Sequence, residues 1–278
     1  MAKSTKQKKF LIETSAVRPA LNQSTAKHHE HFTSATADGD LWTSTYIRME
    51  FIRLWVCSCA IVACAIRQFT DTSEALIYLE QDFKIRKLKS YISIIANYLR
   101  STGAIQNTIA AAEEVASLGV NWLKQFDDLF PSRINNACHC EIGGDTPTID
   151  FDSVVEDLQQ FYLAFTTPVE DCKVNAFLQL QHPHGRVQKL LSDAKIEKLN
   201  VGKNLIKLRQ KNAWITCNEC SWIGDAVIAL EQPASVDLVH SDHSFNDLCR
   251  VRGREHTEIM SVRGLHGKLE LPVARPEE

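Results

Sequence analysis

Short apolar runs alternate with helix-type stretches at both ends of the chain, and this alternation constrains the fold more than any other feature. Residues 10–12 and 41–43 are β-type runs, and a stretch of helical character follows each of them, from about residue 20 to 31 after the first. Near the other end, "GDAVIALE" predicts a short helix, residues 236–241 a strand, "HSFNDLCRV" a second short helix and "TEIMSV" one more strand. Strands that alternate with helices favour an α/β fold with a central parallel sheet flanked by helices.

The longest apolar run, residues 54–66, lies between Arg53 and Arg67. A membrane-spanning helix needs about 20 apolar residues, so this run predicts a buried core helix, which we expect from about residue 46 to 67. The lead "MAKSTKQKKF" is basic, but no signal-peptide apolar region follows it. We therefore expect a cytoplasmic protein that does not interact with a membrane.

The middle of the chain is predicted to be mostly helical. Asp71 and Glu74 stand in capping-box register at the start of one helix, and another helix ends near Pro131. Residues 132–147 predict a loop that contains "NACHCEIGGD". We expect three parts: a discontinuous core of residues 8–67 and 213–262, a large helical insertion of residues 70–212, and a C-terminal tail of residues 263–278.

The overall charge limits the electrostatic attraction that the chain can exert on nucleic acid. The net charge is −3 and the sequence pI is near 6.4, which excludes a positive field over the whole molecule. Local basic surfaces are compatible with this charge. The segments "KIRKLK" and "KNLIKLRQK" could contact phosphates, although their composition favours ordinary solvated helix faces.

Four acidic residues fall beside the expected strand ends. Glu13 directly follows the first strand, and Asp242 follows the late strand. Glu50 lies in the helix after the second strand, and Asp225 opens the helix before the late strand. Because the carboxyl ends of parallel strands meet at one edge of the sheet, these carboxylates could form one cluster, although solvated and inert acids are the alternative.

A carboxylate cluster points to a particular chemistry. Like charges at short range are costly unless a cation lies among them, and hard divalent ions prefer oxygen ligands. One or two such ions, held by carboxylates, can activate a water molecule for phosphodiester cleavage and neutralise charge on the phosphate. The sequence therefore predicts a Mg²⁺ or Mn²⁺ site at this edge of the sheet.

The segments that carry these acids resemble the PIN domain, a family of metal-dependent nucleases. "FLIETSAV", "LWTSTYIRMEFIR", "GDAVIALE" and "VDLVHSDHSF" are similar to its four signature blocks and stand in the same order. The resemblance implies a PIN-like central parallel sheet and four metal ligands, with Ser15 as a supporting hydroxyl; the ligands are Glu13, Glu50, Asp225 and Asp242. Two departures are clear: Glu13 stands where the family usually has Asp, and the gap before Asp225 is several times the usual one.

The resemblance also implies an activity. We expect an endonuclease that hydrolyses phosphodiester bonds in RNA and leaves 5′-phosphate and 3′-hydroxyl ends. One alternative is a degenerate PIN-like scaffold that binds nucleic acid or protein, which Glu13 favours; another is a nuclease directed at DNA. Besides nucleic acid, the implied partners are a second copy of the chain in a homodimer and an antitoxin-like protein.

The chain has nine cysteines, an odd count that argues against a disulfide framework in a protein without a secretory signal. A candidate structural Zn²⁺ site uses four of them: Cys138, Cys140, Cys217 and Cys220. The competing interpretation, reduced and partly buried thiols, is the one that the single Cys-x-x-Cys spacing favours. Three more cysteines lie in the apolar run and predict core packing: Cys57, Cys59 and Cys64.

Overall fold

The computed structural model describes residues 7–21, 26–82, 88–134, 181–210 and 223–260. The chain divides into two units. The first unit contains a β-sheet with its surrounding helices, and the described part of the second unit, Met49–Asp128, is helical. The cysteines of the candidate zinc site lie outside the described residues.

The first unit is organised around a five-stranded sheet in which all neighbouring strands are parallel. The strands are β1 Lys9–Ile12, β2 Asp40–Ser44, β3 Ser132–Ile134, β4 Asp237–His240 and β5 His256–Glu258, in the order β3-β2-β1-β4-β5. Central β1 places Leu11 opposite Trp42 on one side and opposite Leu238 on the other. Residues 10–12 of β1 and all four residues of β4 are buried, as is typical of parallel sheets covered on both faces. The predicted α/β fold with a parallel sheet is confirmed.

Two helices lie between β1 and β2: α1 Thr14–Ala20 and α2 Ala26–Ala35. The sequence predicted a helix from about residue 20, and that start was wrong. The Glu13 side chain accepts a hydrogen bond from the backbone N–H of Ser15 (2.9 Å). Because a carboxylate at the N-cap satisfies a free N–H group, α1 begins directly after the strand.

The chain enters the second unit within a continuous helical stretch, Thr45–Gln68. It comprises α3 Thr45–Phe51, a π-helical segment Ile52–Val56 and α4 Cys57–Gln68. By length and composition this stretch could cross a membrane, but 89% of its most apolar window is buried inside the fold. The predicted core helix is therefore confirmed, and so is the packing of Cys57, Cys59 and Cys64, which are all buried. Burial raises the pKa of the Cys57 and Cys59 thiols.

Three further helices complete the described second unit: α5 Thr72–Gln81, α6 Lys89–Thr102 and α7 Thr108–Leu129. Asp71 caps α5 as predicted, since its Oδ1 accepts hydrogen bonds from the N–H groups of Ser73 (2.6 Å) and Glu74 (3.1 Å). Trp55 packs edge-on against Tyr91 and Trp122, with ring centroids 4.6 and 5.0 Å away. Aromatic contacts of this geometry stabilise a helical core beyond the area that they bury.

The remaining helices return to the first unit: α8 Gln181–Leu191, α9 Ala194–Lys198, α10 Asn200–Gln210, α11 Gly224–Glu231 and α12 Ser244–Arg252. Helices α8, α9 and α10 form a layer that packs on α11 and α12. Within this layer the backbone approach is close at Gly202, where a Cβ atom would lie 2.0 Å from the carbonyl oxygen of Ile196.

Strand β3 corrects the prediction of a loop over residues 132–147. Ser132 pairs with Trp42 and Ile134 with Ser44, so these three residues form an edge strand of the sheet. The segment "SRI" contains one apolar residue, and its first two positions are exposed. A short exposed edge strand of this kind has no alternating apolar pattern, which is why the sequence did not reveal it.

Candidate functional site

The strand order changes direction between β1 and β4. The chain places β2 and β3 on one side of β1, and then β4 and β5 on the other. In open parallel sheets, ligands bind in the crevice beyond the carboxyl ends of the strands at such a switch point. Strand β1 ends at Ile12 and β4 at His240, so Glu13 and Asp242 both lie at this crevice. The N–H of Glu13 donates to the carbonyl of Val239 (3.0 Å) and holds the two strand ends together.

Ser15 connects Glu13 to the segment that follows β4. Its backbone N–H donates to Glu13 Oε2 (2.9 Å), and its hydroxyl donates to the same oxygen. The Ser15 hydroxyl also accepts a hydrogen bond from the N–H of Ser241 (2.9 Å), the residue before Asp242. A continuous path of hydrogen bonds therefore runs from the first candidate ligand to the neighbour of the last.

Ser244 connects the two late acids. Its hydroxyl donates to Asp225 Oδ2 (2.9 Å), and its backbone N–H donates to Asp242 Oδ1 (3.1 Å). Asp225 lies in the first turn of α11, and Ser244 is the first residue of α12. Because helix N-termini favour negative charge, these two helices support both carboxylates electrostatically.

The structure thus gathers Glu13, Asp225 and Asp242 into one set linked by hydroxyl and backbone hydrogen bonds, which we call the acid cluster. Glu13 is 4% exposed, while Asp225 and Asp242 are half-buried. Glu50, the fourth predicted ligand, is half-buried in the last turn of α3 and belongs to the second unit. Its role as a ligand stays a prediction.

The donor set of the acid cluster fits a hard divalent cation in its chemistry, because carboxylate and hydroxyl oxygens are the ligands that Mg²⁺ and Mn²⁺ prefer. The hydrogen bonds from Ser15 and Ser244 are of the kind that orients carboxylate ligands. In the described ranges, however, no group of three His, Cys, Asp or Glu side chains is arranged to hold a metal ion. The residues therefore match such a cation in type, while the side chains as described do not form a complete coordination sphere.

A buried imidazole lies directly beside the acid cluster. His240 is the last residue of β4 and is fully buried, and its Nε2 lies 3.1 Å from Nδ1 of His256 on β5. Burial, with a further contribution from His256, lowers the pKa of His240 to about 4, although Glu258 and Asp242 act in the opposite direction. His240 is therefore neutral at pH 7 and contributes no positive charge to the cluster.

Sequence reasoning predicted Ser15 as a supporting hydroxyl but missed two other residues that link the acids. Ser241 and Ser244 both lie in "HSDHSF", a segment in which the pattern of strand and acid points to Asp242 alone. A usable signal was present, because a serine at a strand end or a helix start commonly bonds to nearby backbone or side-chain groups. His256 carried no such signal, since only the pairing of β4 with β5 brings it to His240.

Comparison with known proteins adds no identification: no family model, curated protein or solved structure matches this chain. The resemblance to the PIN domain therefore stays a prediction that rests on four short sequence blocks. The cytoplasmic location, the homodimer and the antitoxin-like partner also stay predictions.

Proposed function

We propose that this protein is a metal-dependent endonuclease that hydrolyses phosphodiester bonds, with RNA as the preferred substrate. One observation carries the proposal: Glu13, Asp225 and Asp242 come from distant parts of the sequence and meet at the switch point of a parallel sheet. Buried or half-buried carboxylates that gather at a ligand-binding crevice are expensive for a purely structural role. Their oxygen donors suit the divalent ions that accompany phosphate substrates.

The three acids of the cluster would hold the cation, and the sequence adds Glu50 as a predicted fourth ligand. Once bound, the cation would lower the pKa of a water molecule and neutralise negative charge on the phosphate. The protein's own contribution is orientation. Ser15 restrains the carboxylate of Glu13, and Ser244 restrains those of Asp225 and Asp242. Because Glu13 is almost fully buried, its carboxylate is also shielded from bulk water.

A layer of basic helices in the first unit favours a polyanionic substrate. In residues 181–210 the acidic residues are Asp193 and Glu197, and the basic residues are Arg186, Lys189, Lys195, Lys198, Lys203, Lys207 and Arg209. This excess of basic over acidic residues contrasts with the net charge of −3 for the whole chain. The five lysines are exposed, and helices α8, α9 and α10 pack on the two helices that begin at the acid cluster. Positive charge of this kind attracts a nucleic-acid backbone without reading its sequence.

A second candidate function is a scaffold that binds nucleic acid or protein without cleaving it. The observation that favours it is the role of Glu13, whose carboxylate caps α1 and accepts two hydrogen bonds from Ser15. A carboxylate in this arrangement contributes to the fold whether or not it binds a metal. The basic layer would serve this function equally well.

Cleavage of labelled RNA and DNA oligonucleotides with Mg²⁺ or Mn²⁺ separates the two functions. We expect RNA cleavage that EDTA abolishes and that Asp225→Asn lowers by at least about 100-fold, because the variant loses a charged ligand of the cation. Glu231→Gln, at the opposite end of α11, is the matched control and should cleave like the wild type. If wild type and Asp225→Asn both fold and neither cleaves any substrate, the scaffold function replaces the nuclease. Cleavage of DNA alone would change the substrate class.

A further inference from the structure

Two arginines lie at the ends of α11 and α12 away from the acid cluster, and the charge of a third, in α8, acts on one of them. Arg252 is the last residue of α12, Arg254 follows it by two positions, and Arg186 lies in α8. The Nη2 atom of Arg252 reaches the carbonyl oxygen of Leu230, near the end of α11, at 3.5 Å. Along α12, Arg252 is about 12 Å from Ser244, at a rise of about 1.5 Å per residue. This arginine cluster is therefore separate from the acid cluster.

The positive charges of the arginine cluster act on one another. Arg252 has a lowered pKa, caused first by burial and then by the charges of Arg254 and Arg186. No carboxylate pairs with any of these three arginines in the ranges that the structure describes. Arg250, two residues before Arg252 on the same helix, is different, because it pairs with Asp193 and Asp247 at 3.1 Å each.

Hydrogen-bond donors in the arginine cluster are also left without partners. The Nε atoms of Arg252 and Arg254 are both buried, and neither has a hydrogen-bond partner within the described chain. A buried donor without a partner is costly and calls for an explanation in terms of a ligand, an ion or water. Here two such donors belong to charged groups that repel one another.

Cys249 and Asp237 do not supply the missing negative charge. Cys249, one turn earlier in α12, stays a neutral thiol, because burial, and then the charge of Asp237, raises its pKa to about 12. Asp237 itself is engaged elsewhere: its Oδ2 lies 2.7 Å from Lys8 Nζ and accepts a hydrogen bond from Thr257 (3.2 Å).

We propose that Arg186, Arg252 and Arg254 form a binding site for a phosphate group. A phosphate accepts several charge-assisted hydrogen bonds at once, and guanidinium groups present planar sets of donors that match it. Binding to the outer guanidinium nitrogens would neutralise the repulsion within the arginine cluster. The phosphate could belong to free phosphate or a mononucleotide, or to a nucleic-acid backbone. The site does not depend on the acid cluster or on a metal.

Titration calorimetry on the full chain in EDTA tests this site with three probes: inorganic phosphate, adenosine monophosphate and a short single-stranded RNA. We expect Arg186→Gln and Arg254→Gln each to weaken phosphate binding by about ten-fold, because each removes charge-assisted hydrogen bonds. Arg250→Gln is the matched control, since it removes the same charge from α12 but from a residue with acid partners, and should bind like the wild type.

The outcomes distinguish the source of the phosphate and separate this site from the proposed nuclease. A parallel loss of RNA affinity in both arginine variants assigns the site to a nucleic-acid backbone, whereas a loss confined to phosphate and the mononucleotide assigns it to a small molecule. Asp225→Asn should retain phosphate binding even if it abolishes cleavage. The proposal is overturned if the wild type does not bind phosphate, or if Arg250→Gln weakens binding as much as the other two variants.

Discussion

The two ends of the α11 and α12 pair differ in how their charged groups are partnered. Asp225 and Asp242 lie at the N-terminal ends, and Arg252 and Arg254 at the C-terminal ends. The helix dipole favours both placements, so the sign of the charge alone indicates no binding site. At the first end Ser244 donates to both carboxylates, whereas at the second end two buried Nε atoms have no partner within the described residues.

The two ends therefore indicate a binding site through different observations. The acids are hydrogen-bonded within the protein, so a cation site is inferred from the three distant segments that meet at the switch point of the sheet. The arginines are close together because of ordinary helix packing, so a phosphate site is inferred from their unsatisfied donors and uncompensated charge. Three sets of variants test whether the contrast holds.

The largest effect is a loss of stability at low pH, which arises at the acid end because the His240 imidazole at the end of β4 is held neutral. Because the pKa of His240 falls from 6.5 to about 4 on folding, the unfolded chain binds a proton that the folded chain does not. The stability that this group contributes is therefore complete above about pH 6.5 and is lost as the pH falls through about 4. The expected loss is roughly 2–3 kcal/mol, measured by urea unfolding at a series of pH values.

His240→Gln should flatten that pH dependence while keeping a hydrogen-bonding side chain beside His256. His243→Gln is the control, because His243 is 84% exposed and should leave the dependence of the wild type in place. If His240→Gln and the wild type lose stability equally between pH 6.5 and 4, His240 is charged in the folded protein. The acid end would then contain an internal cation, and the contrast with the arginine end would weaken.

The strands and helices at the acid end follow simple rules, whereas the metal site built on them stays a prediction. Strands β1 and β4 are apolar runs, helices α11 and α12 follow helical spacing, and residues after parallel strands meet at one edge. These rules predict that Glu13, Asp225 and Asp242 lie along one edge of the sheet. Strand β5 lies at His256–Glu258, whereas the prediction placed it over residues 257–262, because its few apolar residues fix no boundary.

The arginine end could not be predicted in the same way. Arg186 is distant in sequence from Arg252 and Arg254, and all three stand in segments of ordinary composition. Their proximity depends on how α8 packs on α11 and α12, which is tertiary information that no local pattern carries. The role of Ser244 in holding two acids is similar, since local sequence shows a helix-start serine but not its contact with Asp225.

A second set of variants tests whether Ser244 positions the acids for cation binding. Ser244→Ala removes the hydroxyl that donates to Asp225 and keeps the backbone N–H that donates to Asp242. Removing a group that orients a metal ligand typically lowers metal affinity or activity by about 10–100-fold. We expect Ser244→Ala to need a correspondingly higher Mg²⁺ or Mn²⁺ concentration for half-maximal cleavage.

Two companions of Ser244→Ala make this result specific. Ser244→Thr retains the hydroxyl and should restore the metal dependence of the wild type. Ser192→Ala removes a hydroxyl that donates to the carbonyl of Gln188, away from the acids, and should change nothing. An unchanged metal dependence in Ser244→Ala would show that the hydrogen bond to Asp225 serves the fold alone.

The smallest effect lies at the arginine end, where two variants should change the stability of the protein in opposite directions. Arg186→Gln relieves repulsion on Arg252, so at low ionic strength it should stabilise the protein by roughly 0.5 kcal/mol. Arg250→Gln removes the same charge but breaks ion pairs with Asp193 and Asp247, so it should destabilise the protein slightly. Thermal unfolding at low salt and at about 1 M salt measures both, and screening should abolish both changes at the higher concentration. If both variants destabilise the protein, Arg186 makes favourable contacts that offset the repulsion, and the arginine end would then be satisfied within the protein as the acid end is.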